Sequence, residues 1–577
     1  MFSISILSRA CVGLGIIATA ACVGAARKAD TARTPEVFYT VIGEIALTRH
    51  EPRVAALQYA AAAATASDIG LLQRASEVAA DTLQPSLAAT VAARWISVDP
   101  KSVEAHRAAG RAALQLYKIE QAAAHYRVVL LTSPSGTDAE FARLETELGS
   151  VDNVFGAHQL ADRLAEWFPN SAVARRVQGF AALRADDPAA AVRSFTAAIA
   201  LKSAAGDAPA NAVPGGASNQ ADTDREVAEA LLRARVIAGD VDGPLAVSRA
   251  QVDRDATPAN RLDYALLLLS AQRDAAALEQ LEILARAPAV APVALRLSGV
   301  VEYQEGKFDA ANLRFAELLT TGRFLDDAFY YLGLIAEKHG DLERALRLYA
   351  QVQGGENFVS ALLRASTILQ GHGDAPAAEQ LLDQLAEDAP EQAPEILAAR
   401  ARIYADSGDV PQALELLDRG VSQYPDSVDL CYAKAATYED VGRVPAALRE
   451  LTALLKARPD DPAALNALGY TLADHHQHLA RARALIERAY AAAPANAAIV
   501  DSLGWVLFQQ GHSDQALPYL SAAYADDRGG DIAAHLGEVL WTLGRRTEAD
   551  RIWSAASVAD SDNRVLKATR RRLHGSN

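Results

Sequence analysis

Apolar positions along this chain repeat on two periods, the 3.6 residues of a helix and a longer one near 34. A small residue marks the longer period. Alanine returns every 33 to 35 residues at Ala55, Ala88, Ala122, Ala157 and Ala191, and again from Ala246 through Ala277, Ala311, Ala345, Ala378, Ala413, Ala447, Ala482, Ala516 and Ala549. The step into Ala246 is too long and the step out of it slightly short. Four residues after many of these alanines stands a large apolar side chain, such as Tyr59, Tyr126, Phe195, Phe315, Tyr349, Leu417, Leu451, Ile486, Leu520 and Trp553. Twelve before them stands a glycine or alanine: Gly43, Gly110, Gly179, Gly299, Gly333, Ala401, Ala435, Gly504 and Gly537. Twelve after, proline recurs at Pro100, Pro134, Pro169, Pro258, Pro390, Pro425, Pro459 and Pro494.

A fixed period of this length carrying two amphipathic stretches predicts helix–turn–helix units stacked side by side. The small residues mark helix crossings, the large one fills the space between one pair and the next, and proline stops the second helix. The order of small, small, large and proline resembles the tetratricopeptide repeat. The expected fold is all-α, a right-handed α-solenoid of about 11–15 such units. A 577-residue chain would ordinarily divide into several globular domains; the repeat predicts one long curved array instead. Alternating β-branched runs that would argue for a sheet are missing. The unit around Ala482 has one extra residue in its inter-helix turn. The first few units and the one around Ala246 are degenerate.

The polar, Pro- and Gly-containing stretch at 204–224 cannot bury apolar surface and reads as a flexible insertion. It separates an N-terminal block (37–203) from a C-terminal block (225–560), which is followed by a basic capping helix or tail (561–577).

The first residues have a different pattern. Arg9, an apolar run from Val12 to Ile17 and then small residues make a secretory leader, too short for an ordinary membrane span. Thr19-Ala20-Ala21-Cys22 resembles a bacterial lipobox, predicting a leader at 1–21, lipidation of Cys22 and a tether at 22–36. Simple cleavage after Ala20 or Ala25 would leave a soluble periplasmic protein. Val23 after the cysteine suits transfer to the outer membrane. With Cys11 removed and Cys22 acylated, Cys431 remains as a packed thiol, not a disulfide partner.

Composition then removes classes of function. A net charge of −16 argues against nucleic acid, which needs clustered cations. Arg564, Lys567, Arg570, Arg571 and Arg572 are the exception, and read as a polar cap over the last unit. The chain carries no nucleophile elbow, phosphate-binding loop or paired-cysteine motif. His475, His476 and His478 fall in a turn and read as solvated; Asp460-Asp461 and Asp526-Asp527 read as caps. Neither an enzyme, a cofactor nor a metal is expected.

First helices line the concave face of a tetratricopeptide array. Taking Gly504 as the eighth position of its unit places Asp501, Trp505 and Phe508 on that face. The same count in neighbouring units adds Asn466, Tyr470, Glu538 and Trp541. These seven residues form the expected partner-binding groove, with aromatic anchors beside an amide and carboxylates.

The segments Ala464–Asp474, Asp501–Val506 and Ala533–Trp541, with Gly355–Phe358, resemble a proteobacterial family of long tetratricopeptide outer-membrane lipoproteins. That family's best-understood type binds and activates a carboxyl-terminal processing protease. The resemblance implies a non-catalytic adaptor on the periplasmic face, whose partners are that serine protease and peptidoglycan hydrolases presented to it. The alternative is a lipoprotein scaffold of the same fold serving polysaccharide export, pilus or outer-membrane assembly, since fold does not fix function.

Overall fold

The computed structural model describes residues 35–151, 153–205, 216–559 and 563–574. The leader, Cys22, nearly all of the tether and residues 206–215 of the insertion lie outside the described residues. Among the described residues the chain forms thirty-one α-helices and one short 3-10 turn, with no strand. They run as fifteen consecutive pairs, Pro35–Thr48 with Pro52–Thr65 through Gly530–Thr542 with Arg546–Ala559, and end on a single helix, Arg564–His574. Each recurring alanine lies in the second helix of its pair.

The chemistry of the crossing explains the period. The recurring alanines are fully buried at most units, from Ala55 to Ala549. The large residue four positions on lies directly over the small residue of its own first helix. A methyl group added at Gly333 would stand 2.5 Å from the Tyr349 ring, at Gly110 2.8 Å from Tyr126, and at Gly299 2.7 Å from Phe315. The ring therefore locks the two helices of one unit together, and does not simply fill the gap between units as the sequence pattern suggested. The small residue accepts different partners: aromatic rings sit on Gly333, Gly110 and Gly299, Leu520 and Ile486 sit on Gly504 and Gly469, and Leu417 and Leu451 share their clusters with Ala401 and Ala435. Where the ring is tyrosine its hydroxyl emerges beside a glutamate, as in Tyr349 to Glu337, so the polar tip stays hydrogen-bonded.

Two departures are informative. Ala246 is exposed, and Pro244 and Ser248 are buried in its place, so this unit's register starts two residues earlier; the step out to Ala277 then becomes regular, while the step in from Ala191 stays long because it spans the insertion. In the pair Thr137–Ser150 and Val154–Trp167, Glu145 stands where the small residue belongs. Those two helices lie well apart, because a long charged side chain cannot enter a crossing.

The helix boundaries follow local chemistry. Pro100, Pro134, Pro169, Pro425, Pro459 and Pro494 each stand two residues past the end of a second helix, whereas Pro258 opens a first helix. Between helices, Gly340 and Gly511 take the left-handed conformation (φ 75° and 84°) that ends a helix without steric cost. The extra residue near Ala482 is absorbed by His476 and His478, both at positive φ. Of the stretch 204–224, the first two residues end the helix Pro188–Ala205 and residues 216–224 open the helix Gly216–Ile237.

Curvature brings the two blocks into contact. Gln84 donates to the Gln423 carbonyl (2.8 Å), and Ser86 bonds Asp426 through its hydroxyl (2.7 Å) and its backbone N–H (3.1 Å). Arg458 reaches the Gln115 carbonyl (2.9 Å), and Gln159 the Ala492 carbonyl (3.0 Å). Phe155, on the splayed helix Val154–Trp167, packs against the core of the C-terminal units. The superhelix thus closes on itself.

Candidate binding groove

The closure leaves an open cavity of about 820 Å³ on the concave face. Its floor comes from four first helices, Val428–Asp440, Pro462–Asp474, Ala497–Gln509 and Gly530–Thr542, and its far wall from Tyr117 and Asn153–Phe155 of the N-terminal block. These helices present small residues (Ala463, Ala467, Ala498) between polar ones, which keeps the floor open.

Three of the seven residues expected from the repeat count line this cavity: Asn466, Tyr470 and Asp501. The other four do not. Trp505 is buried behind the floor, its indole N–H donating to Asp474 (3.1 Å), with Phe508 tilted against it. Glu538 is buried and paired with Arg572 of the last helix (2.5 Å). Trp541 packs between Trp553, Arg546 and His574. The C-terminal helix covers that end of the face, so these two residues serve the cap.

The centre of the site is a residue the repeat count missed. His535 is buried, donates from Nδ1 to Asp501 Oδ2 at 2.8 Å, and stacks on Trp505 with ring centroids 4.0 Å apart. Its Nε2 faces the Tyr470 hydroxyl at 3.5 Å. Burial works against the charged imidazole, but the adjacent Asp501 carboxylate, helped by Asp474 and Asp531, outweighs it and raises the His535 pKa. Burial, reinforced by the carboxylates of Asp474, Asp501 and Asp531, holds the Tyr470 phenol well above its ordinary value. The available signal was a histidine between Ala534 and Leu536 on an otherwise apolar helix face, where a buried imidazole requires a partner.

The polar floor is incompletely paired within the chain. Asp501 Oδ1 and Asn466 Oδ1 are buried and find no hydrogen-bond partner there. Arg458, by contrast, is fully engaged by Asp461 and by the carbonyls of Asp426 and Gln115. Asp461 also caps its helix, accepting from Ala463 and Ala464 N–H groups.

Away from the groove the chemistry is structural. Cys431 is buried, and burial, reinforced by Glu450, pushes its thiol pKa up, which disfavours the reactive thiolate. His475 bonds Glu439 (3.0 Å), and among the described residues no group of His, Cys, Asp and Glu is placed to hold a metal. No helix of the described residues is long and apolar enough to cross a membrane.

Comparison with known proteins agrees with the repeat geometry. Two sequence models described as tetratricopeptide repeat match this chain, one at residues 299–357, 363–428 and 502–559 and the other at 404–469. A Pseudomonas aeruginosa protein named TPR repeat-containing protein PA4667 is 34% identical over 214 residues, which is 37% of this chain and 36% of that protein. The chain therefore spans little more than a third of the curated relative it matches. Among solved structures, yeast Tom70 covers 92% of this chain and 98% of its own at 13% identity and a TM-score of 0.36. A thermophilic TPR protein of Thermus thermophilus covers 32% of this chain and 98% of its own at 22% identity and a TM-score of 0.28.

Proposed function

We propose that this tetratricopeptide repeat protein is a non-catalytic adaptor, lipid-anchored through Cys22 on the periplasmic face of the outer membrane. There it binds and activates a carboxyl-terminal processing protease and presents peptidoglycan hydrolases to it. Repeats of this type imply protein partners. The observation that carries a binding role is the concave cavity between the two blocks, open to the size of a peptide segment and floored by Asn466, Tyr470 and Asp501. The family resemblance of the C-terminal units supplies the partner.

The adaptor would act without chemistry of its own. Tethering protease and substrate to one scaffold replaces free diffusion by a high effective concentration. Contacts that favour the protease's active conformer shift its population by the differential binding energy. Lipidation of Cys22 would confine both effects to the membrane surface.

The test is affinity capture from solubilised envelope with the full chain as bait. An Asn466→Ala, Tyr470→Ala double variant is the control, since both side chains line the cavity while the buried Trp505 would report only on folding. Recovery of a processing protease with wild type, and its loss with the variant, supports the adaptor. Recovery of secretion or pilus components without any protease refutes it and favours the assembly scaffold. Cys22→Ser should move the protein from the membrane to the soluble fraction.

A further inference from the structure

We infer that the cavity between the blocks is a pocket for a basic side chain, the arginine or lysine of an extended partner segment. The inference rests on the groove being the partner's seat and names what that seat recognises. Carboxylates outnumber cations in the lining: Asp461, Asp501, Asp527 and Asp531 stand against the guanidinium of Arg458 and the imidazole of His535, which holds one oxygen of Asp501. Arg458 cannot neutralise them all: it is held by Asp461 at 2.7 Å and by two backbone carbonyls. The low-dielectric walls strengthen the field of the remaining carboxylates, so the cavity selects for positive charge.

The second observation is the pair of orphaned acceptors. Asp501 is 5% exposed, and its Oδ1 finds no donor in the chain although Oδ2 is held by His535. Asn466 Oδ1 is in the same state one helix away. A buried acceptor without a donor is costly, and these two call for donors from a ligand. A guanidinium or ammonium has donors only, so it can satisfy both orphaned acceptors. The aromatic walls fit the same ligand. Phe155, Tyr432 and Tyr470 line the cavity, and a planar cation is attracted to ring faces. A carboxylate or phosphate meets the opposite of what it needs here.

The arrangement also explains why Asp501 is fixed. His535, gripped by the Trp505 stack, holds one carboxylate oxygen and leaves the other to the ligand.

The experiment uses the full chain and fluorescein-labelled dodecapeptides of Gly, Ala and Ser with one central residue, either arginine, citrulline (the same shape without charge) or glutamate. Anisotropy titration is expected to show the arginine peptide binding about tenfold or more tighter than citrulline, with glutamate weakest and the preference shrinking as salt rises. Asp501→Asn should abolish the preference. Asn466→Asp should strengthen it, and serves as the second test if Asp501→Asn unfolds. Equal binding of arginine and citrulline peptides, or an unchanged preference in Asn466→Asp, overturns the pocket. If the protease is still captured in that case, the groove reading stands without it. An arginine preference with no protease captured leaves the pocket and removes the partner.

Discussion

The C-terminal quarter and the middle of the array are built from the same unit yet differ in how their cores connect. From Ala435 to Leu566 one continuous apolar core runs through the last four pairs into the final helix, where Leu566 is buried. Between Ala265 and Ile368 the fully buried core falls into successive clusters, each confined to neighbouring helices and joined to the next through partly buried side chains such as Ala285, Tyr303, Tyr331 and Leu348. In a solenoid, stability is a sum of unit and nearest-neighbour terms, so a break between clusters lets one part open without the next. The polar floor lies entirely against the continuous part. Buried carboxylates and an imidazole need a shell that does not open, and the longest unbroken core supplies it.

The largest effect that can break this comparison comes from truncating one ring in each region. Trp553→Ala and Phe315→Ala each remove a fully buried ring and should cost about 3–5 kcal/mol. Hydrogen exchange separates them: Trp553→Ala should loosen every helix from Pro462–Asp474 to Arg564–His574 together, Phe315→Ala only those from Ala291–Gln304 to Leu325–Lys338. Equal spread in the two variants would refute the distinction.

A smaller effect sharpens it. The methyl group of Gly537→Ala overlaps the Trp553 indole, and that of Gly299→Ala comes 2.7 Å from Phe315. Overpacking costs about 1–3 kcal/mol, and Gly537→Ala should lie at the upper end because its ring is clamped by Trp541 and His574. Urea denaturation with a near-equal shift for both variants would remove the difference in rigidity.

The smallest effect is a pH slope. His535 has a raised pKa in the folded chain, so its pairing with Asp501 adds stability that is fully present below the ordinary histidine value. That stability is lost as pH rises through the raised one. Asp501→Asn should flatten the slope in this window, and denaturation midpoints across neutral pH measure it. A slope of the same size in both proteins would show that His535 does not produce it.

The repeat was legible residue by residue. Fifteen alanines marked fifteen helix pairs, and only Ala246 was out of register, because Pro244 and Ser248 occupy the buried positions there. The groove was legible in part. Position counting found Asn466, Tyr470 and Asp501, which face the cavity, but assigned Trp505, Phe508, Glu538 and Trp541 to it as well. A count within one unit cannot see that Trp505 is covered by His535 of the next first helix, or that Arg572 reaches back to Glu538.

What lies within one period is written in the order of residues: helix pairs, glycine or alanine at each crossing, the ring that locks it, and the proline that ends it. Those choices depend on contacts between residues 16 or 17 apart, and such spacings can be read directly. The meeting of Phe155 with the C-terminal core, the bond from Ser86 to Asp426 and the cavity between the blocks emerge only once the whole array has folded. Closure sums a small rotation at every unit, so no motif records it, and the site it creates joins residues separated by most of the chain.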